Sequence, residues 1–289
     1  MCNAKQTTVH LRSQGTTMTK DATPSPVNSR PSDDGDSTHA VPTGAYEGRH
    51  SNQDKRAYNS AETAFQGSSI SLLDKLEAFP RFATKRSLAR FMVKEKLFEK
   101  ILGINGIIVE CGVFNGAGLF TWAQLSNIYE PVNYNRKIVG FDTFEGFPSV
   151  NQQADNTGVL TSKKGDLKGS ALEELDLSVD KYNNERHLSH IKNIDLVKGD
   201  FNLTAAQYLE KKQHTIISLL YLDFDLYEPT KKALELFLPR MPKGAIVAFD
   251  EINCESFPGE TRALHEVMGI DKHEIRRFPI DPWISYIQL

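Results

Sequence analysis

Three cysteines in 289 residues, Cys2, Cys111 and Cys254, are too few and too scattered for a disulfide framework or a thiolate metal site. Cys111 lies inside an apolar run and reads as a small buried hydrophobe, which suits a reducing, cytoplasmic compartment. No apolar run approaches the ~20 residues that span a bilayer, so no membrane partner is expected. The N-terminus lacks the apolar core of a signal peptide, and its first 20 residues, though free of acids, are so poor in apolar side chains that a transit peptide is a minor alternative. A formal net charge of -3 provides no global basic field, so nucleic acid is not an expected partner either. Large apolar residues are nearly missing from residues 1–64, where Leu11 is the only Leu, Ile, Phe or Trp. Such a segment cannot bury enough apolar area to offset its ordering entropy. Residues 1–66 are therefore expected to be a disordered tail, and residues 67–289 one α/β domain.

What is present begins with short apolar strands ending in acids. Ile107-Ile-Val-Glu-Cys111, Lys137-Ile-Val-Gly-Phe-Asp142, Ile194-Asp-Leu-Val-Lys-Gly199, residues 216–222 and residues 245–249 read as buried parallel strands. Helical patterns alternate with them over residues 119–128, 171–182, 204–211 and 229–238, with Pro229 near the start of the last. Residues 71–79 and 88–101 read as amphipathic helices ahead of the first strand. Basic residues between 81 and 100 alternate with apolar ones and read as a solvated helix face. Residues 273–278 and 284–289 read as a terminal antiparallel pair. The alternation predicts an α/β fold with a doubly wound, mostly parallel, seven-stranded sheet. The polar stretch 151–193 reads as a lid-like insertion, in which His187 and His190 keep a modest chance of touching substrate.

In an open α/β sheet, ligands bind outside the carboxyl ends of the strands. Asp223, Asp225, Asp250 and Glu251 should converge there and would repel one another unless a cation or a proton is shared. Asp223, Asp250 and Glu251 are the metal candidates, since Mg²⁺ takes few carboxylates and keeps waters for substrate oxygens to displace. The bland alternative is that some of these acids cap the following helices.

Glu110-Cys-Gly-Val-Phe-Asn-Gly-Ala-Gly118 follows a strand and opens a helix, the place where a dinucleotide fold carries Gly-x-Gly-x-x-Gly. Glu110 replaces the first glycine. It would repel a pyrophosphate and attract the sulfonium and ammonium of S-adenosylmethionine. Gly112 and Gly116 would let the backbone approach that ligand, and Asn115 between them is a further cofactor candidate. Asp142, with Thr143 and Gly146 in the turn after it, is placed to accept ribose hydroxyls. Asp200 is placed to accept an adenine amino group, with Phe201 stacking.

Together, Glu110-Cys-Gly-Val-Phe-Asn-Gly, Gly140-Phe-Asp-Thr-Phe-Glu-Gly-Phe-Pro148, Val197-Lys-Gly-Asp200, Leu222-Asp-Phe-Asp-Leu-Tyr-Glu-Pro-Thr230 and Phe249-Asp-Glu251 resemble the macrocin O-methyltransferase family over residues 69–289. The resemblance implies a class I S-adenosylmethionine-dependent methyltransferase fold and Mg²⁺ on Asp223, Asp250 and Glu251. It places Asp225 at the position of the general base. Glu251 departs from the Asp-Asp common at the tandem position. A Mg²⁺-assisted O-methyltransferase acting on a small-molecule acceptor, a sugar, nucleotide sugar or glycoside, is expected, and homo-oligomerisation is compatible with it. A NAD-dependent oxidoreductase and a non-catalytic S-adenosylmethionine-binding protein are the alternatives. Glu110 disfavours the first and the second-site acids disfavour the other.

Overall fold

A computed structural model describes residues 52–157 and 161–289. Three helices come first: α1 (Asn52–Gly67), α2 (Leu72–Glu77) and α3 (Lys85–Ile101). Ser71 caps α2 and Thr84 caps α3, each hydroxyl accepting a backbone N–H of its first turn. The sheet strands are β1 (Ile107–Cys111), β2 (Ile138–Asp142), β3 (Ile194–Lys198), β4 (Ile217–Leu222), β5 (Ile246–Phe249), β6 (Arg276–Arg277) and β7 (Ser285–Gln288). Between them lie α4 (Ala117–Tyr129), α5 (Leu172–Glu185), α6 (Phe201–Lys211), α7 (Tyr227–Phe237) and α8 (Gly259–Val267).

The strands form one sheet in the order β3-β2-β1-β4-β5-β7-β6. β1 to β5 are parallel, and β7 runs antiparallel to both β5 and β6. This is the expected doubly wound, seven-stranded arrangement with its terminal antiparallel pair. Alternation along β4 shows why both faces must be covered: Leu219 and Tyr221 point into one core, Ile217, Leu220 and Leu222 into the other. α3, α4 and α5 cover the first face; α6, α7 and α8 cover the second. Chain order reverses between β1 and β4, and that switch point is where a ligand crevice opens.

Four expectations need correction. The tail was expected to run to residue 66, but residues 52–67 form α1; residues 1–51 lie outside the described residues. Ala57, Ala61 and Ala64 favour that helix, and Phe65 anchors its end, edge-on to Phe82 at 5.3 Å. The insertion 151–193 is not wholly a lid. Its helix α5 buries Leu175, Val179 and Tyr182, and the Tyr182 hydroxyl donates to the Ala123 carbonyl at 2.9 Å. His187 and His190 are exposed and do not line the main cavity. Helix α8 went unforeseen, because its apolar stripe is short and follows a Pro-Gly pair that reads as a turn. The basic face of residues 81–100 is only partly solvated, since Lys94 is buried and Arg90 reaches the sheet's carboxyl edge. Among the described residues no helix is long and apolar enough to cross a membrane.

Candidate active site

A cavity of about 500 Å³ opens over the carboxyl ends of β1, β2, β4 and β5. The loop after β1 must pass close to β4. The Asp223 N–H donates to the Cys111 carbonyl at 2.9 Å, and a Cβ on Gly112 would collide with the Asp223 carbonyl. With its φ of 90° as well, position 112 admits only glycine. Asp142 fixes the same loop. Its Oδ2 accepts the N–H groups of Val113 at 2.7 Å and Phe114 at 3.0 Å, and its Oδ1 accepts Phe144 N–H at 2.7 Å.

Glu110 points from β1 towards α3 and α4, beside Tyr221, its register partner on β4. Gly118 in the first turn of α4 makes room, since a Cβ there would lie 2.7 Å from Glu110 Oε2. Oε2 is buried and has no hydrogen-bond partner. Burial pushes the Glu110 carboxyl up to about 7, against the pull of the Lys94 ammonium. A cavity with an orphaned carboxylate oxygen at the open end of a glycine loop fits the cationic part of S-adenosylmethionine.

The expected cofactor residues Glu110, Gly112, Asn115, Asp142, Thr143, Gly146, Asp200 and Phe201 all line this cavity. Gly116 does not; it caps α4 in the left-handed conformation. Phe201 is 3% exposed, its ring edge-on to Phe141 at 5.2 Å and Phe224 at 4.8 Å, so most of it belongs to the core. Asp200 accepts the Asn202 N–H and caps α6.

The acids after β4 and β5 gather at the other end. Asp223, Asp225 and Glu251 each present an oxygen, and these oxygens lie within 4.8 Å of one another. Asp225 holds a left-handed φ of 60°, a strained geometry for a residue with a Cβ. Burial pushes its carboxyl up to about 6, with a hydrogen bond from Glu251 pulling the other way. Burial and the Asp225 and Asp250 charges hold Glu251 well above the usual range. Glu251 Oε2 is buried without a partner, and its N–H donates to Glu260 of α8 at 3.1 Å. Asp223 and Glu251, two hard oxygen donors with an orphaned Glu251 oxygen, fit a divalent cation, and Asp225 stands beside them.

Asp250 is placed differently. Its Oδ1 accepts both the Arg90 guanidinium and the Tyr221 hydroxyl, and Tyr221 in turn accepts Lys94 Nζ at 3.0 Å. Burial opposes the Asp250 charge, but Arg90, Lys94 and the Tyr221 hydrogen bond hold its carboxyl below the usual range. Tyr58, Arg86, Ser87, Arg90 and Lys94, from α1 and α3, line the same cavity. None of these was foreseen. The available signal was the i, i+4, i+8 line of cations at 86, 90 and 94, in a chain whose acids crowd one rim.

The macrocin-O-methyltransferase (TylF) family model matches residues 77–275. Among solved structures, CalS11, a calicheamicin methyltransferase, is 33% identical with a TM-score of 0.80, covering 88% of this chain and 99% of its own. A second, apo structure of CalS11, described as a TDP-rhamnose 3'-O-methyltransferase, is 32% identical with a TM-score of 0.71 over 83% of this chain and 95% of its own. The O-methyltransferase NovP shares the fold at 22% identity and a TM-score of 0.55, over 69% of this chain and 79% of its own. No curated protein matches this chain in sequence. The chain belongs to the macrocin-O-methyltransferase family and is an S-adenosylmethionine-dependent O-methyltransferase.

Proposed function

We propose that this enzyme methylates a hydroxyl group of a sugar, carried as a nucleotide sugar or a glycoside, with the help of Mg²⁺. The observation that carries the reading is Asp225. It is a buried acid on a strained turn, grouped with Asp223 and Glu251, and raised to about 6. A base tuned near the working pH is what abstraction of a hydroxyl proton needs. The near full-length similarity to CalS11 supports a sugar as the acceptor.

Bound here, S-adenosylmethionine supplies the methyl group and Mg²⁺ a Lewis acid that lowers the pKa of a nearby hydroxyl. Glu110 would face the cationic end of the cofactor. Asp142 holds the loop and offers the ribose hydroxyls an acceptor, and Asp200 stands near the base. Asp223 and Glu251 would hold the metal, while Asp250, the third expected ligand, is engaged by Arg90. Asp225 takes the proton of the acceptor hydroxyl. Holding the acceptor oxygen in line is worth up to ~7–11 kcal/mol of barrier, and the walls of the cavity do that work. Asp155 helps to build them: it accepts Asn151 N–H at 2.8 Å and Tyr227 N–H at 2.7 Å, tying the start of the 151–157 segment to α7. The free thiols of Cys111 and Cys254 support a reducing, cytoplasmic setting.

The test is product analysis after incubation with S-adenosylmethionine and a panel of nucleotide sugars and glycosides. A single added methyl on a sugar oxygen is the expected product. Methyl transfer confined to catechols or other planar phenols would replace the sugar reading.

A further inference from the structure

Arg90 is the side chain of α3 that reaches the acid cluster. Its guanidinium binds Asp250 Oδ1 and stands 4.0 Å from Asp223 Oδ2. The Arg90 and Asp223 side chains keep 22% and 30% of their surface exposed, so the contact lies on the cavity wall and not in the core. The helix beneath is fixed, because Val93, Leu97, Phe98 and Ile101 are fully buried. The arginine side chain extends from that anchored helix to the cavity wall. A guanidinium is charged at every working pH, so it cannot yield to a metal ion by losing a proton. It also has an alternative seat, since its bond to Asp250 does not require Asp223.

We propose that Arg90 is a positioning residue that stands in for the metal: its guanidinium shares Asp250 and Asp223 until a divalent cation takes Asp223, and it then withdraws to the Asp250 side. This rests on the metal reading given above. Two cations cannot share Asp223 at this separation without strong repulsion in a partly buried site. Arg90 therefore lowers the affinity of the free enzyme for metal. It also keeps the acids from repelling one another while the metal is absent.

The experiment is calorimetric titration of Mg²⁺ into cofactor-loaded protein without acceptor, for wild type, Arg90→Gln, Arg90→Met and Arg90→Lys. Both neutral variants should bind Mg²⁺ about tenfold more tightly, while Arg90→Lys, which keeps the charge, should stay within about threefold of wild type. A merely structural arginine would leave metal affinity unmoved or weaken it in all three variants, and that result would overturn the proposal. Absence of Mg²⁺ binding in every chain, wild type included, would overturn the metal reading and this proposal with it. A readout on the unaltered chain guards against misfolded variants: the Arg90 Nε–H resonance should shift as Mg²⁺ is added, and a resonance that does not respond would also refute the proposal.

Discussion

The Asp142 carboxylate accepts the Val113 backbone N–H at 2.7 Å, so the acid that closes β2 fixes the loop that follows β1. Two further N–H groups, of Phe114 and Phe144, complete its shell. Asp142→Ala leaves all three unsatisfied, at ~1–3 kcal/mol for each buried donor. We expect S-adenosylmethionine affinity to fall at least about tenfold and Tm to drop in the same variant, read by calorimetry and thermal melting. Unchanged affinity would remove Asp142 from the cofactor site.

Gly118→Ala tests the seat of Glu110. A Cβ there would lie 2.7 Å from Glu110 Cδ and Oε2, so the carboxylate must move. Cofactor affinity should fall while the sheet stays intact, because alanine is otherwise the best helix former. Equal affinity in Gly118→Ala and wild type would show that the position of Glu110 does not matter to the cofactor.

Glu110 should also leave a mark on stability. Its carboxyl rises from 4.5 to about 7 in the folded protein, chiefly through burial. A raised carboxyl stabilises the fold fully below the unfolded value, and that contribution is lost as pH climbs through the folded one. The Tm of cofactor-free Glu110→Gln relative to wild type should therefore grow between pH 4.5 and about 7. A difference that stays flat across this window contradicts the buried, neutral carboxyl.

Truncation separates the two parts of the N-terminus. Removing residues 1–51 should leave Tm and cofactor affinity nearly unchanged, on the composition of that segment. Removing residues 1–67 also deletes the Phe65–Phe82 contact and Tyr58 from the cavity wall. An edge-to-face pair alone is worth ~0.5–1.5 kcal/mol, or a few degrees in a domain of this size. Tm and acceptor KM should both worsen, and a shift in neither would place α1 outside the working enzyme.

Much of the sheet was legible because burial on both faces forces continuous apolar runs, as in Leu219–Leu222, and because strand ends announce themselves with acids. The carboxyl rim was legible for the same reason: Asp142, Asp223, Asp225, Asp250 and Glu251 each stand just past a run that can only be a strand. What α3 contributes was not. Arg90 and Lys94 sit on a helix whose pattern suits solvent, and only packing over β4 turns them towards Asp250 and Tyr221. The same blindness to partners hid how Asp250 divides from its neighbours, since no spacing in the chain reveals a guanidinium arriving from 160 residues away. The packing of α5 is hidden in the polar 151–193 stretch, because its buried stripe of Leu175, Val179 and Tyr182 is narrow and set among polar residues.

Turnover depends on Asp225. Its carboxyl is pushed up to about 6, chiefly by burial, so the base is charged above that pH and protonated below it. The most direct measurement is methyl transfer from labelled S-adenosylmethionine to a sugar acceptor by wild type and Asp225→Asn, across pH and with EDTA or Mg²⁺. Wild-type kcat/KM should fall in acid as Asp225 takes up a proton, with a midpoint no higher than about 6 because bound Mg²⁺ favours the charged carboxylate; EDTA should abolish turnover and Mg²⁺ restore it. Asp225→Asn should bind cofactor and metal yet transfer no label at any pH. Full turnover in Asp225→Asn, or in wild type freed of metal, would contradict the mechanism.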